Sequence, residues 1–127
     1  MISHIKERKA GLIINMSSVA EKRGGWIFGG PHYSAAKTGV RGLSKAMARE
    51  LVPFNIRSNS ICPSFINTDI IRGKMTEEMM QTVLSGIPMN RIGQPEEIAG
   101  CCQFLASELS SDVTGTDLDI NGGSLVY

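Results

Sequence analysis

An α/β fold built on a parallel sheet is predicted by three observations. Short apolar or alternating runs end in small polar residues, stretches of helical period lie between them, and the order is strand, helix, strand, helices, strand. Ser3 to Lys9 reads as the tail of a polar helix. In GLIINMSS, Leu12, Ile13 and Ile14 form a continuous apolar run after Gly11, with Ser17 and Ser18 at its carboxyl end. A run of this kind fits a strand buried on both faces, as in a parallel sheet covered by helices. EKRGGWIFGGPH, with four glycines and a proline, predicts a loop.

A helix is predicted from Tyr33, with Ala36, Val40, Leu43, Met47 and Leu51 as one apolar stripe and Pro53 as its stop. IRSNSIC predicts the second strand, with Ile56, Ser58, Ser60 and Cys62 alternating against Arg57, Asn59 and Ile61. PSFINTD reads as turn-like. Thr76-Glu77-Glu78 opens another helix that ends near Ser85-Gly86, and Pro88 closes it. GQPEEIAGCCQFLAS carries the clearest helix start, with Pro95 at the first helical position and Glu96 and Glu97 complementing the positive helix end. In TGTDLDINGG a short alternating strand places Leu118 and Ile120 on one face before Gly122-Gly123.

The 127 residues suffice for one domain with a core and are short for two. Net charge is +1 with dispersed basic residues, which argues against a nucleic-acid or anionic-membrane partner. No apolar run approaches the roughly 20 residues of a membrane span, and the first nine residues are too charged for a signal peptide. Three cysteines, Cys62, Cys101 and Cys102, form no C-x-x-C pair, so free thiols in a reducing cytoplasm are expected rather than disulfides or a metal site.

The chemistry rests on YSAAK. Residues four apart share a helix face, so Tyr33 and Lys37 present a phenol and an ammonium on the same side. A phenol ordinarily ionises near pH 10, and a neighbouring cation favours the phenolate, the form that serves as a base. Ser18, at the end of the first strand, stands where open α/β sheets bind ligands, and its hydroxyl is placed to donate to a substrate oxygen. Tyr33 follows fifteen positions later, across a stretch read as loop. Each feature alone has a plainer reading: a surface Tyr–Lys pair, serines in a turn, an Asn-Gly-Gly turn at 121–123. His32 reads as an exposed or capping residue beside the helix start.

Taken in order, GLIINMSSVA, YSAAKTGVRGLSKAMARELVPFNIRSNSICPSFINTD, RIGQPEEIAGCCQFLAS and TGTDLDINGG resemble the second half of a short-chain dehydrogenase/reductase, from Gly11 to Gly123. The pattern is most similar to the 3-oxoacyl-carrier-protein reductase and sugar- or polyol-dehydrogenase types. The resemblance implies the carboxyl half of a Rossmann-type doubly wound parallel sheet with flanking helices, and hydride transfer between NAD or NADP and a secondary alcohol or ketone. It implies that Tyr33 is the acid/base, that Ser18 rather than Ser17 orients the substrate, and that Lys37 holds the nicotinamide ribose and favours the phenolate. Pro63 through Thr68 matches the segment that grips the nicotinamide, including Ser64, with a backbone group of Ile66 and the Thr68 hydroxyl against the carboxamide. Residues from Asp69 to about Pro88 match the lid over the substrate.

Two departures stand out. Ser64 follows Pro63 where the family has glycine, which puts the path of that loop in question. The glycine-rich turn that meets the cofactor pyrophosphate has no counterpart here; GGWIFGG falls between Ser18 and Tyr33 instead. The expectation is a partial domain over residues 1–127, without the amino-terminal dinucleotide-binding half and with an exposed sheet edge. A small alcohol or carbonyl substrate and a homo-oligomeric assembly are the expected partners. The alternative is a half-chain without activity that serves as an oligomerisation module.

Overall fold

The computed structural model describes residues 2–25, 27 and 29–126. In chain order its elements are α1 (Ile2–Arg8), β1 (Gly11–Met16), α2 (Ala20–Arg23), α3 (Pro31–Leu51), β2 (Ile56–Pro63), α4 (Glu77–Ser85), α5 (Pro95–Ala106) and β3 (Asp117–Ile120). Single 3-10 turns, Val52–Phe54 and Glu108–Ser110, follow α3 and α5. The three strands form one parallel sheet in the order β1-β2-β3, with Gly11 opposite Ile56 and Ser60 opposite Asp117. The predicted α/β parallel sheet with flanking helices is therefore the observed one.

The central strand shows how the layers form. Ser58 Oγ lies 3.2 Å from Ser44 Oγ on α3, whereas its neighbour Arg57 donates from Nη2 to the Leu105 carbonyl at the end of α5 at 2.8 Å. Successive strand residues point to opposite faces, so α3 and α5 cover opposite sides of β2. The strand is accordingly buried through Ile56, Ser58, Asn59, Ser60, Ile61 and Cys62. Its polar members need partners at that depth. Asn59 supplies two, donating from Nδ2 to the Val113 carbonyl at 2.9 Å and accepting the Thr116 N–H at 3.1 Å.

β1 departs from its expectation. It is half-buried along its length and exposed at Met16, not buried on both faces. The reason is position: it is an edge strand, and among the described residues nothing pairs with its outer side.

The loop expected after Ser18 is also corrected. Residues Ala20–Arg23 make a helical turn, so the stretch between Ser18 and Tyr33 is not all loop, and α3 starts at Pro31. Pro31 occupies a first-turn position, where a missing N–H costs nothing. Trp26 and Phe28 of that stretch lie outside the described residues. His32 is exposed, as expected.

The predicted stripe on α3 is buried only in part. Leu51 of that stripe is buried, Val40 and Met47 are half-buried, and Ala36 and Leu43 are exposed, Leu43 by 56%; the other buried residues of the helix are Ser44 and Ala48. Small residues let the helix approach β2 closely, and the apolar row Ala36, Val40, Leu43, Met47 is left on its flank.

Candidate active site

Ser18 is presented by a backbone held at two points. The Ser17 N–H donates to the Ile61 carbonyl at 2.8 Å, and the Val19 N–H donates to the Pro63 carbonyl at 2.9 Å. The two serine side chains then part. Ser17 is buried and donates its hydroxyl to the Lys37 carbonyl on α3 at 3.0 Å. Ser18 Oγ accepts the Ala20 N–H at 3.2 Å, which leaves its own proton available.

Tyr33 lies in the first turn of α3, 37% exposed, against the Gly29 backbone. Gly29 has φ +96°, and a Cβ there would sit 2.8 Å from Tyr33 Cδ1, so the position excludes any side chain on two counts. One turn along the helix, the Lys37 Nζ stands 5.7 Å from the Tyr33 ring centroid and donates to the Met16 carbonyl at 2.8 Å. The ammonium is thus tied to the carboxyl end of β1.

Beyond β2 the chain runs through Ser64 to Thr68. The Ser64 N–H donates to the Ile120 carbonyl at 3.1 Å. Ser64 is not among the residues with positive φ, so its side chain brings no backbone strain here. Ile66 forms a parallel bridge with Gly93, made by the peptide groups on either side of it: Gly93 N–H to Phe65 carbonyl and Asn67 N–H to Gly93 carbonyl, each 2.9 Å. The N–H and C=O of Ile66 itself therefore face away from Gly93, and the carbonyl accepts the Thr68 N–H at 2.8 Å. A carboxamide offers one acceptor and two donors; the Ile66 N–H and the Thr68 hydroxyl are groups of the kind it needs.

These parts meet in one cavity of about 310 Å³. Ser18, Tyr33, Ser64, Ile66 and Thr68 line it, together with apolar groups including Phe65, Ile70 and Ile71. Of the residues predicted from sequence, Lys37 and Pro63 are not in its wall. Lys37 stands behind Tyr33, and Pro63 closes β2 and accepts the Val19 N–H.

Sequence reasoning missed two sets of residues on the elements that build this cavity. The first is a charge cluster joining α2, α3 and β3. Arg41 donates from Nη1 to Glu21 at 2.9 Å and from Nε to Asp117, Lys45 pairs with Asp117 at 3.0 Å, and Lys22 pairs with Asp119 at 2.9 Å. The Glu21 and Asp117 side chains are 1% and 6% exposed. Burial pushes the Asp117 carboxyl up, but hydrogen bonds from Arg41 and Lys45 outweigh it and hold the group below its ordinary value of 3.8. Asp117 and Asp119 alternate with Leu118 and Ile120, a visible signal, but nothing in the sequence said which cations they meet.

The second set braces the Ser64–Thr68 segment. Arg91 grips Glu97 with two hydrogen bonds, 2.8 and 2.7 Å, and Glu97 Oε2 accepts the Gln94 N–H at 2.8 Å. With Gln94 at the N-cap this completes a capping box on α5. Those bonds, Arg91 first, bring the Glu97 carboxyl down to about 2. The RIGQPEE motif, legible as a helix start, is also the surface on which the segment rests.

A family model described as Enoyl-(Acyl carrier protein) reductase matches residues 1–124. The chain is 50% identical over 126 residues to an uncharacterized short-chain type dehydrogenase/reductase of Sinorhizobium fredii, covering 99% of this chain and 50% of that one. The chain belongs to the short-chain dehydrogenase/reductase family. It is 44% identical over 115 residues to a 3-oxoacyl-[acyl-carrier-protein] reductase of Chlamydia muridarum, covering 91% of this chain and 45% of the relative. A solved 3-oxoacyl-[acyl-carrier protein] reductase from Brucella melitensis, with bound NAD, superposes with a TM-score of 0.88 at 36% identity, over 98% of this chain and 45% of that one. The chain spans about half the length of the curated relatives it matches. The three-stranded sheet and its helices are thus those of a Rossmann-type dehydrogenase fold. Among the described residues no helix is long and apolar enough to cross a membrane.

Proposed function

We propose that the protein is an oxidoreductase that transfers hydride between a nicotinamide cofactor, NAD or NADP, and a secondary alcohol or ketone. One observation carries the reading. Ser18 and Tyr33, from different elements, line the same cavity as Ser64, Ile66 and Thr68 of the segment after β2. The bound nicotinamide supplies or accepts the hydride. Tyr33 gives its phenolic proton to the carbonyl oxygen in reduction and takes it back in oxidation. Ser18 donates a hydrogen bond to the same oxygen, stabilising the negative charge that grows there. Lys37, one turn along α3 from Tyr33, would hold the nicotinamide ribose. The Ile66 backbone and the Thr68 hydroxyl would hold the carboxamide, against an apolar wall that includes Phe65 and Ile71.

The names of the Chlamydia and Brucella relatives support a 3-oxoacyl thioester as substrate class and NAD or NADP as cofactor. The protein acts in the cytoplasm as a homo-oligomer, and the partly exposed row on α3, with Leu43 56% exposed, supports a contact with a second copy. The same row favours the second reading, an oligomerisation module without activity.

The test is turnover of a short 3-oxoacyl thioester with NADH and NADPH, followed by cofactor absorbance. Tyr33→Phe is expected to lower kcat by about 10²- to 10⁴-fold while NADH affinity stays within about twofold. Equal turnover by Tyr33→Phe, or none by the unaltered protein, refutes the proposal.

A further inference from the structure

Between the two residues assigned to the carboxamide stands Asn67. Ile66 and Thr68 line the cavity and Asn67 does not. On the other side, Asn67 uses most of its hydrogen-bonding capacity. Its Nδ2 donates to Gln94 Oε1 at 3.2 Å, and its Oδ1 accepts from Arg72 Nε at 3.2 Å. Its N–H donates to the Gly93 carbonyl at 2.9 Å, and its own carbonyl accepts from Arg72 Nη2 at 3.3 Å.

The two partners come from different places. Gln94 is the N-cap of α5, locked by the capping box with Glu97 and the Arg91–Glu97 pair. Arg72 lies in the turn leading to α4, within the stretch expected to form the lid, and its remaining nitrogen donates to Asp69 at 3.1 Å. Gly93 fits the same arrangement, since a Cβ there would come within 2.6 Å of Ile66 Cδ1. One asparagine therefore ties the cavity-lining segment to a rigid helix start on one side and to the start of the lid on the other.

We propose that Asn67 is a positioning residue. Through Gln94 and Arg72 it sets the register of Ile66 and Thr68 against the nicotinamide, and it couples that register to the segment that covers the substrate. Asn67 touches neither cofactor nor substrate in this scheme. The inference rests on the proposed dehydrogenase function, because its subject is the nicotinamide end of that cofactor.

A general weakening of the fold would lower affinity for every part of the dinucleotide, whereas a lost register would affect only the nicotinamide end. ADP-ribose carries all of the cofactor except the nicotinamide and makes the comparison possible. Titration of the full chain with NADH and with ADP-ribose is the experiment. Asn67→Leu, which keeps the volume and removes both side-chain bonds, is expected to weaken NADH by roughly tenfold and ADP-ribose by less than about twofold. Gln94→Ala and Arg72→Ala alter exposed side chains and each break one arm, with an expected loss of about threefold for NADH. Gln94→Ala is expected to add nothing in the Asn67→Leu background, because its partner is gone, whereas Arg72→Ala still removes the bond to the residue-67 carbonyl.

Equal NADH affinity in Asn67→Leu and the unaltered protein overturns the latch, as does an equal loss for both ligands. If Asn67→Leu does not fold, the two single-arm variants decide on the same ratio. An unaltered protein that binds neither ligand overturns the dehydrogenase reading itself, and the latch with it.

Discussion

Replacing Arg41 by Met would remove the hub of the charge cluster while keeping a side chain of similar reach. Glu21 and Asp117 would stay where they are, 1% and 6% exposed, with only Lys22 at 3.7 Å from Glu21 and Lys45 at 3.0 Å from Asp117. Breaking a buried pair by deleting one partner costs about 3–5 kcal/mol, because a charge is left in low dielectric without compensation. Arg41 is itself 32% exposed, and two cations remain in the cluster, so the lower end applies, about 3 kcal/mol. For a chain of this length that is a fall in Tm of roughly 10 °C. The comparison is Arg91→Met, which removes a solvent-exposed pair that screening keeps weak. Thermal unfolding followed by circular dichroism at pH 7 separates the two.

The cluster also predicts a pH dependence. The Asp117 carboxyl is held below its ordinary value of 3.8, so the stability it contributes is fully present above that pH. It is lost as pH falls through the lower, folded-state value. Asp117→Asn is expected to flatten that acid limb. A fall in Tm for Arg41→Met no larger than for Arg91→Met refutes the argument, and so does an unchanged acid limb in Asp117→Asn.

Two further outcomes follow from exposure. Leu43→Glu places a charge on a side chain already 56% exposed, so the monomer should lose less than about 0.5 kcal/mol while any assembly through α3 dissociates; sedimentation velocity reads the change. Burial, with Asp119 and Asp117 adding to it, pushes the Cys62 thiol up to about 11, and the residue is fully buried. In the native protein at pH 8, Cys101 and Cys102 are expected to react with iodoacetamide well before Cys62, as read by peptide mass mapping.

Several features were legible because the information is local. The α5 start follows from Pro95 and the two glutamates beside it, and the α4 start from Thr76, whose hydroxyl accepts the Met79 N–H at 3.2 Å. Tyr33 and Lys37 share a face because helical geometry places residues four apart together. The candidate site residues were reachable from YSAAK, the double serine and the PSFINTD segment, and the structure gathers Ser18, Tyr33, Ser64, Ile66 and Thr68 round one cavity.

What the sequence determined by itself was the order of elements, their periods and the local chemistry of their ends, since each depends on residues a few positions apart. Tertiary structure decided the rest. Helical period revealed an apolar row on α3 but not which face meets the sheet; close packing of Ser44 on Ser58 settled that, with Leu51 of the row buried and Leu43 left exposed. Alternation showed Asp117 and Asp119 on one side of β3, but their cations come from 76 and 97 positions away. Asn67 looked like one more polar residue in a turn until Gln94, 27 positions on, was brought within 3.2 Å of it. Contacts at such separations are set by the packing of whole elements against one another, and no local pattern of residues encodes them.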